Sequence, residues 1–350
     1  MVTKKIDVPP LVDMHVHLRE GAGLIKDLLQ LHVAGGADVL GMMPNTTEGL
    51  TTAKAVHDYH KQVVNLMIGP ERQITPVPFL MITPETTTDD IRRAASEEIR
   101  NAKLYPLGRT TNSNRGIRDY AKLLPIIRMC GELDVFCHFH PEHPDMLFDN
   151  RDAEYVFLPL VDIFLRETNA KIVWEHGTDA RCIPFWIDMA GTHRFFVTLT
   201  AHHLATDEDD VFGDVRAICK PPIKTRRDCA DLRALVAKNY SWVMAGTDSA
   251  PHPRKSKHVS DGRCACGAFT APFALPLYAH ALNDLLQTPE GVEAFVNFTS
   301  RNARSVHRLP TTTRTRALVC EPFKVPDQYE VGDWSIEPFW AGQKIRWTLI

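Results

Sequence analysis

The sequence predicts a (β/α)8 barrel, an α/β fold in which eight parallel strands close on themselves inside a ring of helices. Three observations predict it. Eight short apolar runs recur along 350 residues, and segments of helical spacing separate them, which is the pattern of repeated βα units. The turn after the first run, His17-Leu18-Arg19-Glu20-Gly21, is not a glycine-rich phosphate loop, so an open doubly wound sheet is disfavoured. With 44% hydrophobic residues the chain can bury one large core, and its length suits one barrel better than two unrelated domains.

The expected strands are the apolar runs Leu11 to His17, Val39 to Met43, Val77 to Ile82, Ala102 to Tyr105, Val135 to His138, Ile172 to Glu175, Phe196 to Thr200 and Trp242 to Gly246. Apolar residues at helical spacing predict helices over Leu24 to Val33, Thr52 to Leu66, Thr88 to Ile99, Arg118 to Met129, Ala153 to Leu165 and Asp228 to Lys238. Ala274 to Leu286 reads as the closing helix and Glu290 to Ser300 as one more. The expected organisation is a single domain over 1–350, with the barrel at about 11–290. An extension at about 311–350, holding Trp334, Phe339, Trp340 and Trp347, is expected to pack on the barrel.

The formal net charge of -3 comes with no basic stripe and no acidic tail, which leaves nucleic-acid and membrane-surface roles without electrostatic support. Met1-Val2-Thr3-Lys4-Lys5 opens no apolar segment of signal length, and no window approaches a membrane span. A soluble, cytoplasmic protein is expected. The eight cysteines are scattered, which suits free thiols in a reducing compartment. Cys264-Ala265-Cys266 is a C-x-C, but no second pair completes a structural zinc site.

His15 and His17 close the first run one residue apart, and extended backbone sends both to one face. Neutral imidazoles ligate borderline-soft divalent ions, so the pair supplies half of a four-coordinate site. The C-terminal strand ends of such a barrel form its reactive face, and Asn45, Lys103, His138, His176 and Asp248 stand at or near other strand ends. Each alone can be an ordinary hydrogen-bonded residue; together they point to a metal site. Four histidines and an aspartate exceed what one catalytic zinc needs, so two metals about 3.5–4 Å apart are expected. From the residues alone Lys103 is either a salt-bridge partner or, carboxylated to a carbamate, an anionic bridge between the metals. His140 makes a second H-x-H with His138, and spacing does not choose between them. His202 and His203 follow the seventh strand and either contact substrate or pack.

These residues resemble the dihydroorotases, specifically the shorter type II enzymes of the amidohydrolase superfamily. The matching stretches are Asp13-Met14-His15-Val16-His17-Leu18-Arg19, Met43-Pro44-Asn45, Ala102-Lys103-Leu104-Tyr105-Pro106, Thr110-Thr111-Asn112-Ser113, Glu175-His176 and Gly246-Thr247-Asp248-Ser249-Ala250-Pro251-His252. They span 11 to about 275, with a fainter match near Phe339-Trp340-Ala341-Gly342. The resemblance implies two zinc ions (Zn2+) per subunit, bridged by N6-carboxylated Lys103 and a hydroxide. His15, His17 and Asp248 would complete the first site, and His138, preferred over His140, with His176 the second. Arg19, Asn45 and His252 match positions that grip the substrate carboxylate, and a planar guanidinium fork suits that group. Thr110 and Thr111 match a mobile loop that closes over the ligand, with Gly108 and Gly116 able to absorb the backbone change.

The implied activity is reversible hydrolysis of (S)-dihydroorotate to N-carbamoyl-L-aspartate in pyrimidine synthesis. The bridging hydroxide attacks the ring carbonyl, and Asp248 serves as base and then acid. A homodimer is carried over as an expectation. Two stretches depart from the family pattern. Thr200-Ala201-His202-His203-Leu204 replaces one with Pro and Gln, and Cys219-Lys220-Pro221 puts Lys220 where relatives contact the ligand by backbone. The Cys264-Ala265-Cys266-Gly267-Ala268-Phe269 stretch is one residue shorter, which leaves Gly267 as the expected ring contact. The rival enzymes, dihydropyrimidinase-like or allantoinase-like, would give the Arg19, Asn45 and His252 trio nothing to bind. An inactive barrel scaffold is disfavoured because all six ligand positions are filled.

Overall fold

The computed structural model describes residues 4–350, so Met1, Val2 and Thr3 of the N-terminal stretch read above lie outside the described residues. The first strand, Leu11–Val16, pairs in parallel with Ala37–Met42, which pairs with Thr75–Pro78. From Leu80–Ile82 the parallel ladder continues through Asn101–Leu104, Phe136–Phe139, Lys171–Trp174 and Phe195–Leu199 to Val243–Ala245. The ring closes where Val16 bridges Ser249 in parallel and the His17 amide donates to the Ser249 carbonyl at 3.1 Å. Each of the eight expected runs is a barrel strand. The third is divided at Phe79, because Pro76 and Pro78 lack the N–H that a continuous ladder requires.

Helices follow the strands in turn: Ala22–Ala34, Ala53–Leu66, Thr88–Ser96, Leu124–Glu132, Leu158–Glu167, Ile183–Ala190, Arg226–Ala237 and Ala274–Ala281. Thr87 and Thr225 open two of them with reciprocal capping boxes to Asp90 and Asp228. The helices expected from Arg118 and Ala153 start later, at Leu124 and Leu158, with Pro125 and Pro159 in their first turns. Proline is pre-set for that position and has no N–H to leave unpaired. The helix expected to reach Ile99 stops at Ser96, since Glu98 takes a left-handed φ of 60°.

Two apolar clusters organise the interior. The larger packs the helices on the outside of the barrel around buried Trp174, Trp186, Phe157 and Phe164. The smaller draws Val12, Met14, Val39, Phe79, Phe136, Val173 and Met244 from around the ring, so it fills the barrel's centre. A strand not anticipated from the sequence, Lys5–Val8, pairs antiparallel with Arg316–Val319, which also pairs with Thr348–Leu349. Its alternating exposed and buried residues are the mark of a half-covered strand, and Leu318, Phe339 and Trp347 nearby in the extension are buried. Among the described residues no helix is long and apolar enough to cross a membrane.

Candidate active site

The strand ends bring His15, His17, Lys103, Glu175, His176 and Asp248 into one buried cluster. His15 Nε2 and His17 Nε2 lie 3.1 and 3.0 Å from the same Asp248 oxygen, and His15 Nδ1 lies 3.0 Å from Glu175 Oε2. Ligand atoms of His15, His17 and Asp248 all fall within 4.8 Å of one another, as do those of His15, Glu175 and His176. The Lys103 ammonium, fully buried, contacts Glu175 Oε2. Two of these positions occupy left-handed backbone, His176 at φ 42° and Asp248 at 48°, as does Arg19 beyond the first strand at 59°. Such conformations cost roughly 1–3 kcal/mol each and persist where surrounding structure enforces them, which is common at functional sites.

Burial dominates the electrostatics. It lowers the pKa of His15 and His176, and pushes His17 down to about 3, so these imidazoles are neutral and keep lone pairs for an ion. Burial likewise lowers Lys103 well below the ordinary lysine range, which favours a neutral, reactive amine. It would raise Asp248, but His15 and His17 outweigh it and keep the carboxylate ionised. Both ring nitrogens of His176 are buried without a hydrogen-bond partner. Orphaned imidazole nitrogens beside an ionised carboxylate and further neutral imidazoles are the donor set of a borderline divalent ion, so the residues present fit a zinc centre.

The two histidines of the second H-x-H have different surroundings. His138 lies within the Phe136–Phe139 strand, its Nδ1 2.9 Å from Glu175 Oε1 and its Nε2 3.1 Å from Asn101 Oδ1. Its ring is flanked by Phe79 and His307 at centroid distances of 4.7 and 5.4 Å. His140, past the strand end, meets the His176 ring edge-on at 4.6 Å, and its Nε2 lies 2.6 Å from buried Glu142.

The expected substrate residues line one narrow cleft with His17 and Asp248: Arg19, Asn45, Thr110, Thr111, Lys220 and Gly267, joined by Cys266 and Ala250. His252 adjoins them, its Nε2 3.2 Å from an Arg19 Nη and 2.9 Å from the Cys266 carbonyl. Arg19 also donates to the Pro251 carbonyl at 3.0 Å, and Tyr59 donates to the Arg19 carbonyl at 2.7 Å. Asn45 donates to the Thr111 carbonyl at 3.1 Å and accepts from Tyr105 at 3.0 Å, so the Thr110-Thr111 loop is drawn onto the cleft. Gly267 has no space for a Cβ, which would stand 2.6 Å from Ala250 Cβ and 3.0 Å from His252 Cδ2. The Lys220 ammonium turns away to Asn150 Oδ1.

Sequence reasoning assigned no role to Asp13, Glu175, Tyr105 or Glu142. Asp13 is buried under the site, accepting from the Thr247 amide at 2.9 Å and hydroxyl at 2.5 Å, and thereby ties the first strand to the eighth. The available signal was an aspartate inside an apolar run, two residues before His15. His202, His203 and Cys219 also cluster, but His203 is engaged by Thr200 Oγ1 at 2.7 Å and the Pro221 carbonyl at 3.0 Å, and Cys219 also donates to Pro221. The His203–Pro221 contact ties the two segments together.

A scan against models of protein families finds no match. A dihydroorotase of Salmonella typhi is 30% identical over 347 residues, covering 96% of this chain and 95% of that protein. A probable dihydroorotase of Schizosaccharomyces pombe is 33% identical over 348 residues, covering 98% of each. The crystal structure of a dihydroorotase in complex with 5-fluoroorotic acid, from Saccharomyces cerevisiae, matches with a TM-score of 0.90 at 29% identity, over 99% of this chain and 98% of that one. L-hydantoinase from Arthrobacter aurescens matches with a TM-score of 0.80 at 14% identity over 98% of this chain and 83% of its own, a likeness of fold alone. With such identity sustained along nearly the whole of both sequences, and the barrel shared throughout, the chain belongs to the dihydroorotase family.

Proposed function

We propose that the protein interconverts (S)-dihydroorotate and N-carbamoyl-L-aspartate in pyrimidine synthesis. One observation carries the reading: Arg19 and Asn45 open onto the same cleft as His17 and Asp248, with His252 against Arg19, so a carboxylate grip faces a metal-ligand cluster. A neutral dihydropyrimidine or allantoin ring leaves that grip without a charge to bind. Arg19, Asn45 and His252 orient the substrate carboxylate so that the ring carbonyl lies toward the histidine cluster. Thr110 and Thr111 cover the ring and exclude water. Asp248 takes a proton from the attacking water as the new C–O bond forms, then gives it to the ring nitrogen as the C–N bond breaks.

Two zinc ions would supply Lewis acidity for the carbonyl and a nucleophile at neutral pH. His15, His17 and Asp248 would hold one. For the other we take His140 with His176, in place of His138. His138 has both ring nitrogens engaged, whereas His140 adjoins the orphaned His176 ring and is oriented through Nε2 by Glu142, a carboxylate–histidine arrangement typical of metal ligands. Lys103 would bridge them as its carbamate, which a buried, neutral-leaning amine favours. The eight free thiols suit a reducing compartment, and we propose the cytoplasm.

The test is turnover by the zinc-loaded protein in both directions, alongside dihydrouracil and allantoin. Turnover of the carboxylated ring alone supports the reading; activity confined to a neutral ring overturns the substrate.

A further inference from the structure

Lys257 lies in a short helical turn, Arg254–Lys257, and is only 4% exposed. A buried ammonium ordinarily sits beside a carboxylate. Among the described residues none is within ion-pair distance of this one, and Asp214, which acts on it from further away, is taken up by Arg216 at 2.7 and 2.9 Å. Instead Lys257 donates to three backbone carbonyls: Ile218 at 3.0 Å, Ala265 at 3.1 Å and Gly267 at 2.9 Å. That is one acceptor for each N–H of the ammonium.

The three carbonyls belong to two separate segments, which the Gly267 amide also joins by donating to Ile218 at 2.8 Å. Both segments reach the cleft, one through Lys220 and the other through Cys266 and Gly267. Between Ala265 and Gly267, the Cys266 carbonyl stands 2.9 Å from His252 Nε2, and His252 stands 3.2 Å from Arg19. A Cβ at Gly267 would stand 2.6 Å from Ala250 Cβ and 3.0 Å from His252 Cδ2, so this stretch of wall runs beside His252.

We infer that Lys257 is a positioning residue for substrate binding, holding the 265–267 wall and the His252–Arg19 grip in register while its unpaired charge favours an anionic ring. The inference rests on the reading above that the substrate carries a carboxylate. Lys257→Met keeps most of the stem and removes the donors and the charge; Lys257→Arg keeps the charge in a shape that cannot reach three carbonyls from one nitrogen.

The experiment measures KM, kcat and zinc content for the zinc-loaded wild type and both variants with dihydroorotate, and calorimetric affinity for 5-fluoroorotic acid. Lys257→Met is expected to raise KM and weaken 5-fluoroorotic acid by about tenfold or more, with kcat within about threefold and zinc content unchanged. Lys257→Arg is expected to fall between it and wild type, and keeps the test open should the methionine variant not fold. An active wild type with KM and affinity unmoved in a folded variant overturns the inference, as does loss of zinc and kcat together. A wild type inactive on dihydroorotate overturns the functional reading instead.

Discussion

The imidazoles of His140 and His176 meet at 62° with their centroids 4.6 Å apart, although they come from consecutive strand ends 36 positions apart in the chain. This relationship separates His140 from His138, which lies deeper among Asn101, Glu175 and Phe79. Removing an outer partner of a metal ligand costs about 10–100-fold, so loss of a ligand itself should exceed that range. His140→Ala should therefore leave about one zinc per chain and lower kcat by more than about 100-fold. His138→Gln should keep both ions. Metal analysis of the two variants decides, and a His138→Gln protein short of one ion would reverse the assignment.

Lys103 has no exposed surface, and its Nζ lies against the Glu175 carboxylate. If its working form is a carbamate, Lys103→Ala should lose metal and activity together, with partial recovery in zinc plus a short carboxylic acid. Lys103→Arg, which cannot be carboxylated and stays charged, should not recover. An alanine variant holding both ions at full occupancy would defeat the carbamate.

Asp248 is an ionised carboxylate within 3.1 Å of two imidazoles and on the wall of the cleft. Asp248→Asn removes the proton acceptor while keeping the shape. General acid–base catalysis is worth about 100- to 10,000-fold, and kcat should fall by at least that much with 5-fluoroorotic acid binding still measurable. Turnover near wild type would take Asp248 out of the proton transfer.

Much of this was legible before any coordinates, for physical reasons that also mark where legibility ends. A buried parallel strand must be an apolar run and a surface helix must be periodic, so the barrel could be read run by run. Residues at strand ends share one rim by topology, which is why His15, His17, His176, Lys103 and Asp248 could be grouped without distances. Depth along a strand is another matter. His138 and His140 share a face and differ only in depth, one within the ladder and the other past its last rung, and that depends on where the neighbouring strand stops. Asp13, Glu142 and Lys257 were missed because each acts on backbone or on another side chain that is remote in sequence or unassigned. Lys5–Val8 was missed because four residues of a two-residue period carry little signal until Arg316–Val319 is known to lie beside them.

Arg19 is held in a left-handed backbone conformation with its guanidinium aimed at Pro251 and His252, so its position is set before any ligand arrives. Hydrogen bonds to charged groups are worth about 1.5–3 kcal/mol each, and Arg19→Met should lower kcat/KM for dihydroorotate by about 10- to 150-fold or more. Activity on dihydrouracil, if any is present, should be much less affected, because that ring has no carboxylate to lose. Comparable losses on both rings would show that Arg19 supports the fold of the site and not the choice of substrate.

His32 offers a pH prediction away from the cleft. It lies in the last turn of Ala22–Ala34, is 1% exposed, and its Nε2 has no partner. Burial pushes its pKa down from 6.5 to about 3. Between those values the unfolded chain binds a proton that the folded chain refuses, so this contribution to stability is present above about pH 6.5 and is lost as pH falls toward 3. At pH 5 the loss amounts to about 2 kcal/mol. In His32→Leu it should vanish. Urea midpoints of wild type and variant at pH 7.5 and pH 5 should therefore converge or cross on acidification, with the variant gaining about 2 kcal/mol relative to wild type. Two pH profiles that stay parallel would mean that His32 protonates in the folded state as readily as in the unfolded one.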